Sequence, residues 1–285
     1  MHRSVLLEQA IESLQVHAGG RYIDATAGEG GHLMKMVEEG GDVLGIDIDP
    51  KQIANLQSRV AGNSRIKLAV GNYANIGDIA RANDFMPVDG ILFDYGLSME
   101  QLSHSGKGLS FRNIEEPLDM KLNDKTEDNA ADLVKRLSPS ELYDLFAKYS
   151  EEFHSEVIAQ TIAGTRVHHP IETVGDFNSV IGKAVSYCTL KHDHDLFKIY
   201  PRIYQALRIA VNKEFENIEQ GLEQSLSILA PAGRIAIITF HSLEDRIVKQ
   251  FMKKNNLKQL DKKAIKGNQA LRFERSAKLR VIITN

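Results

Sequence analysis

Two rhythms of apolar residues alternate along the first hundred positions of the chain. Short, mainly apolar runs at 22–25, 43–48, 65–70 and 88–93 read as buried strands. Between them apolar residues recur at intervals of three and four, which predicts helices, one starting near His32 and a short one over 74–82. This alternation predicts an α/β fold with a mostly parallel sheet covered on both faces. Two later runs, 234–240 and 278–284, add strands, the first entered by a turn over 231–233.

From about 103 to 202 the pattern is helical throughout. Ser138 and Glu141 form a predicted capping box around Pro139, followed by Leu142, Leu145, Phe146 and Tyr149 at helical spacing. A second stripe, Phe177, Val180, Ile181, Ala184 and Val185, follows a helix start at Thr173. The expected organisation is one domain of 1–102 and 203–285 with a helical insertion, 103–202. A long helix over 203–229 is expected to return the chain to the sheet through Leu207, Val211, Phe215, Ile218, Leu222, Leu226 and Leu229. Gln205, Arg208 and Asn212 share a polar stripe on it, which reads either as a solvent face or as a substrate contact.

The chemistry begins after the first strand. Asp24 precedes a turn containing Gly28, Gly30 and Gly31, then His32 opens a helix, and Asp47 ends the next strand. Glycine lets a ligand approach the backbone, the helix start offers free amides, and a strand-end acid can accept both hydroxyls of a ribose. A dinucleotide fingerprint would place a third glycine where Leu33 stands. The string DATAGEG is instead the arrangement of class I S-adenosylmethionine-dependent methyltransferases, which bind a sulfonium nucleoside. A nicotinamide-dependent oxidoreductase using the same half-site is the competing enzyme reading.

In such a sheet ligands bind beyond the carboxyl ends of the strands. Tyr73 could lie against an adenine or pack at a helix start. Asp94 ends a run expected to be buried, which makes it the first candidate for a catalytic, substrate-facing carboxylate. Ser242 and Asp245 are expected to cap the helix after residue 241, leaving His241 without a structural role. No metal-ligand cluster is expected, and His192 and His194 read as part of a polar loop.

Composition narrows the partners. No apolar run approaches the roughly 20 residues of a membrane span. The single cysteine, Cys188, excludes internal disulfides and suits a reducing cytoplasm. The net charge of −3 conceals a segment, 246–280, with twelve Lys and Arg against two acids, an excess of ten that leaves −13 on the remainder. A basic stretch on an acidic body fits an RNA partner or a solvated lysine-rich face.

Longer strings then narrow the reading. GEGGH at 28–32, DIDP at 47–50, FDYGLS at 93–98, GLSF at 108–111, PLDMKL at 117–122, QALRIAVNKE at 205–214, FHSLEDRIVK at 240–249 and RSAKLR at 275–280 resemble the ribosomal small-subunit methyltransferase H family nearly end to end. The resemblance implies methyl transfer from S-adenosylmethionine to the N4 amine of a cytidine in the decoding region of 16S ribosomal RNA, by a class I domain with a helical insertion. It puts Gly30, Gly31, His32, Asp47, Tyr73, Asp94 and Gln101 at cofactor positions. Arg208, Asn212, His241, Arg275 and Lys278 become candidate RNA contacts, with the small ribosomal subunit as partner and a monomer or homodimer left open. The chain departs from the family at Leu97 to Glu100, and Lys107 and Lys121 stand in place of arginines, keeping the charge without the bidentate fork. A fold that has kept RNA binding but lost activity, an assembly factor, is the non-enzymatic alternative.

Overall fold

A computed structural model describes residues 4–188, 195–271 and 273–284, so the string containing His192 and His194 lies outside the described residues. The chain forms two compact units, Met1–Ser98 with Phe215–Asn285, and Met99–Glu214. The first begins with α1 (Leu7–Leu14), β1 (Arg21–Asp24), α2 (Gly31–Glu38), β2 (Asp42–Asp47), α3 (Pro50–Val60), β3 (Ile66–Val70), α4 (Ile76–Ala82) and β4 (Val88–Asp94). The second carries α5 (Met99–His104), α6 (Ala130–Arg136), α7 (Pro139–Ser150), α8 (Ser155–Thr165), α9 (Val174–Cys188) and α10 (Leu196–Asn212). The chain then continues through α11 (Glu214–Leu226), β5 (Leu229–Thr239), α12 (Ser242–Lys254), β6 (Lys258–Gln259), β7 (Ile265–Lys266) and β8 (Lys278–Ile283).

The strands form one sheet in the order β3-β2-β1-β4-β5-β8-β6, with β7 also on β8. β1 to β5 are parallel, while β8 runs antiparallel to β5, and β6 and β7 antiparallel to β8. The order turns back between β1 and β4, where diverging connections leave a crevice at the carboxyl ends. Along the strands successive residues feed opposite cores. Tyr22, Val43, Leu92, Ala236 and Ile238 pack with Leu33, Met36 and Leu56 from α2 and α3. Ile23, Leu44, Ile91, Phe93, Ile235 and Ile237 pack with Ile218, Leu222, Val248 and Phe251 from α11 and α12. β1, β2 and β4 are covered on both faces and are mostly apolar between their ends, whereas the edge strand β3, expected to be buried, keeps Lys67 and Val70 exposed.

Three expectations need correction. The apolar stripe over 203–229 is two helices, because Lys213 adopts a left-handed conformation (φ 51°) between α10 and α11. The inserted unit therefore extends from Met99 to Glu214 and takes α5 and α10 with it, beyond the expected 103–202. The turn over 231–233 lies within β5, where a register shift between Val88 and Gly90 accommodates it. The short β6 and β7 have no apolar run and form by pairing with β8, a signal that periodicity does not carry.

Candidate ligand site at the strand ends

Three neighbouring parallel strands, β2, β1 and β4, each end in an aspartate: Asp47, Asp24 and Asp94. Asp47 Oδ2 accepts the Gly28 amide at 2.8 Å and its Oδ1 the Asp49 amide at 2.9 Å. The glycine turn is thus tied to the end of β2, and lone pairs remain on both oxygens for hydroxyl donors. Asp24 Oδ1 accepts the Thr26 amide at 3.2 Å, and the Thr26 hydroxyl in turn accepts the Asp94 amide at 2.8 Å. Gly30 caps α2 in a left-handed conformation (φ 81°). A Cβ there would stand 2.4 Å from Leu56 Cδ1.

His32, on the first turn of α2, is buried. Its Nε2 lies 3.0 Å from the Val5 carbonyl, which only accepts, so Nε2 carries the proton and Nδ1 a lone pair. Burial lowers its pKa to about 4, so the ring is neutral near pH 7. Nδ1 faces Asp94 Oδ2 at 3.8 Å, beyond direct hydrogen-bonding distance.

Burial dominates the acids. Desolvation raises Asp24 to about 7 and Asp47 to about 6, partly offset by the backbone amides each accepts. Asp94 is raised well above the usual carboxylate range by burial first, then by the charges of Asp24 and Glu244. Its side chain keeps 23% of its surface, but Oδ1 is shut from solvent and has no hydrogen-bond partner. Three more buried polar atoms, Tyr95 Oη, His241 Nε2 and Gln259 Nε2, are also unpartnered. Asp94, Tyr95 and His241 lie at or just past the ends of the adjacent strands β4 and β5, whereas Gln259 is in β6. Such atoms cost free energy unless a ligand supplies the missing partner. Crowded acids that resist ionisation, beside a glycine turn, suit a cationic nucleoside better than a pyrophosphate.

Tyr73 lies at the end of β3 and packs against Phe93 at 5.8 Å and Tyr95 at 5.5 Å between ring centroids, with Gly221 close behind. It is a part-exposed member of an aromatic group. Burial and the neighbouring Tyr73 and Glu244 push the Tyr95 phenol well above its ordinary range. Sequence reasoning assigned no role to Thr26, Val5, Tyr95 or Glu244. Glu244 sits inside a regular helix, and only the fold brings its charge to Asp94 and Tyr95.

The expected cap of α12 is corrected. His241 is the N-cap, its Nδ1 accepting the Glu244 amide, while Glu244 Oε2 accepts the amides of Phe240 and His241. Ser242 already lies inside the helix, and Asp245 instead binds Arg280 at 2.7 Å. His241 Nε2 lies 3.0 Å from Glu244 Oε1 without hydrogen-bond alignment, which reconciles that short distance with its unpartnered state.

The polar stripe on α10 is also corrected: within the inserted unit all three of its side chains are engaged. Gln205 donates to the Tyr149 carbonyl and Arg208 forms a fork to Glu214 at 2.7 and 3.1 Å. The buried Asn212 amide donates to the carbonyls of Met120 and Arg208 and accepts the Leu122 amide. Asn212 thereby clamps the 120–122 segment. Lys278 has Asp245 as an ion-pair partner at 3.6 Å, whereas Arg275 is exposed. Gln101 lies on α5 of the inserted unit. No helix among the described residues is long and apolar enough to cross a membrane.

Comparison with known proteins adds an independent line. A family model described as MraW methylase family matches residues 1–283. A curated relative from Thermomicrobium roseum, named ribosomal RNA small subunit methyltransferase H, is 41% identical over 89% of this chain and 77% of its own length. Relatives of the same name from Dehalococcoides mccartyi and Coprothermobacter proteolyticus are 44% and 37% identical, covering 89% and 98% of the chain and 71% and 95% of their own lengths.

Proposed function

The chain belongs to the MraW methylase family, and from that premise we propose that it methylates the N4 amine of a cytidine in small-subunit ribosomal RNA, with Asp94 as proton acceptor. It is an S-adenosylmethionine-dependent methyltransferase. The oxidoreductase and the inactive assembly factor find no support beside that membership.

Bound S-adenosylmethionine supplies the methyl group. The residues present suit its charge and shape. Asp47 has lone pairs free for ribose hydroxyls, the turn at Gly28, Gly30 and Gly31 allows close approach, and Tyr73 can contribute an aromatic edge. Asp24 and Asp94 offer negative charge that burial and neighbouring acids disfavour and a bound cation would restore.

The chain's remaining task is to align and deprotonate a weak nucleophile. An exocyclic cytosine amine has its lone pair conjugated with the ring, so a fixed acceptor raises its reactivity and takes its proton. Asp94 suits that role: its amide is anchored to Thr26, its Oδ2 faces neutral His32, and its Oδ1 has no protein partner. That unpartnered oxygen is the observation that carries the reading. A base must leave its stack to reach such an atom, which suits unpaired RNA.

The test is methyl incorporation into small ribosomal subunits from cells lacking the protein, with the modified nucleotide mapped by mass spectrometry. The parent is expected to yield one N4-methylated cytidine, and Asp94→Ala roughly 10²–10⁴-fold less. Methylation on another atom would overturn the substrate assignment; parent-like turnover by the variant would overturn the role of Asp94.

A further inference from the structure

GLSF at 108–111 and the start of α10 meet in a cluster of rings within the inserted unit. Phe111 lies at its centre, 5.5 Å from Tyr200 at a 31° tilt, with Tyr204 at 6.1 Å and Phe197 at 6.2 Å. The base of the cluster is fixed. Asn178 Nδ2 donates to the Phe111 carbonyl at 2.8 Å and the Tyr204 hydroxyl donates to Asn178 Oδ1 at 2.9 Å, while Phe177 packs behind Tyr204. The other end is open, since Phe197 is 69% exposed despite its size. Over Phe111 lies the Arg112 guanidinium, 5.5 Å from the ring centroid. Among the described residues Arg112 has no acidic partner.

We propose that Phe111, Phe197 and Tyr200, with Arg112, form a stacking platform for unpaired RNA bases on the inserted unit. The inference rests on the ribosomal RNA reading above and names a second contact for that substrate. Rings packed against one another lose little freedom on binding, and a base can stack on an exposed ring regardless of its identity. An unpaired guanidinium beside such rings matches a phosphate or a second base face. A protein partner would want an apolar surface; a free cation set among the rings favours a polyanion.

The probe is a fluorescein-labelled single-stranded RNA decamer of mixed sequence, compared by anisotropy with its duplex. The parent is expected to prefer the single strand, Phe197→Ala to weaken that binding about tenfold, and Phe197→Trp to restore it. Arg112→Gln is expected to lower both the affinity and its salt dependence. S-adenosylmethionine affinity by calorimetry should match the parent in each variant, which excludes misfolding. Equal binding of single strand and duplex, or parent-like binding by Phe197→Ala, would overturn the platform. So would unchanged RNA binding with an altered oligomeric mass, which would make Phe197 a protein contact. Subunit methylation by the parent separates the two readings: if it persists while these variants bind RNA normally, the platform fails and the methyltransferase assignment stands.

Discussion

His32 faces Asp94 across 3.8 Å with the lone pair of Nδ1, while its other ring nitrogen is committed to the Val5 carbonyl at 3.0 Å. The N-terminal segment thus selects the tautomer of a buried ring, and that ring presents an acceptor to the candidate proton acceptor. His32→Gln retains a donor for Val5 but removes the imidazole beside Asp94. The expected outcome is a roughly tenfold fall in kcat with little change in KM for RNA, and a shifted acid limb in the pH profile. Unaltered kcat and pH dependence would show that His32 only packs.

Cofactor affinity should depend on pH through the strand-end acids. Burial raises Asp24 to about 7 and Asp47 to about 6, and holds Asp94 well above the usual carboxylate range. A cationic ligand favours their ionised forms, so affinity should weaken as pH falls through 7 towards 6, with protons released on binding. Calorimetry in buffers of different ionisation enthalpy measures that release; buffer-independent heats would contradict it.

The same shifts predict opposing effects on the stability of the ligand-free protein. Asp24, raised from 3.8 to about 7, contributes stability that is full below its unfolded value and lost as pH rises through about 7. His32, lowered from 6.5 to about 4, contributes stability present above 6.5 and lost as pH falls through about 4. Asp24→Asn should therefore stabilise the ligand-free protein at pH 8, on the order of 2 kcal/mol, and much less at pH 5. Denaturant melts at the two pH values check the difference, and equal effects would remove the assignment to Asp24 ionisation.

Tyr95→Phe separates folding from binding. The Tyr95 hydroxyl is buried without a partner, so its removal should raise the stability of the ligand-free protein by about 1 kcal/mol. If a ligand completes its hydrogen bonding, the same change should weaken cofactor or RNA binding several-fold. Thermal melts with and without S-adenosylmethionine, beside RNA titration, measure both. A stability gain with unchanged binding of either ligand would make the hydroxyl a mere defect.

Asn212→Ala tests the corrected role of the α10 stripe. Loss of its bonds to Met120, Leu122 and Arg208 should destabilise the protein by roughly 1–3 kcal/mol, because buried backbone groups lose their partner. RNA affinity, measured well below the lowered Tm, should stay near that of the parent. A large RNA defect without destabilisation would return Asn212 to the RNA interface.

Apolar runs and their spacing were enough to read the parallel strands, since side chains buried on both faces are mostly apolar, but not that β3 is a partly exposed edge. The acids Asp24, Asp47 and Asp94 were legible too, because each breaks such a run where it leaves the core. Tertiary structure decided what periodicity could not encode. A single left-handed residue, Lys213, divided one continuous apolar stripe between two units. The choice of His241 over Ser242 as a cap depended on where β5 ends, and Asn212 was turned inward by the Met120 carbonyl and the Leu122 amide, some ninety residues earlier in the chain. Above all, the tautomer of His32 and the unpartnered oxygen of Asp94 arise from packing among residues distant in sequence, where burial rather than residue type sets the proton's place.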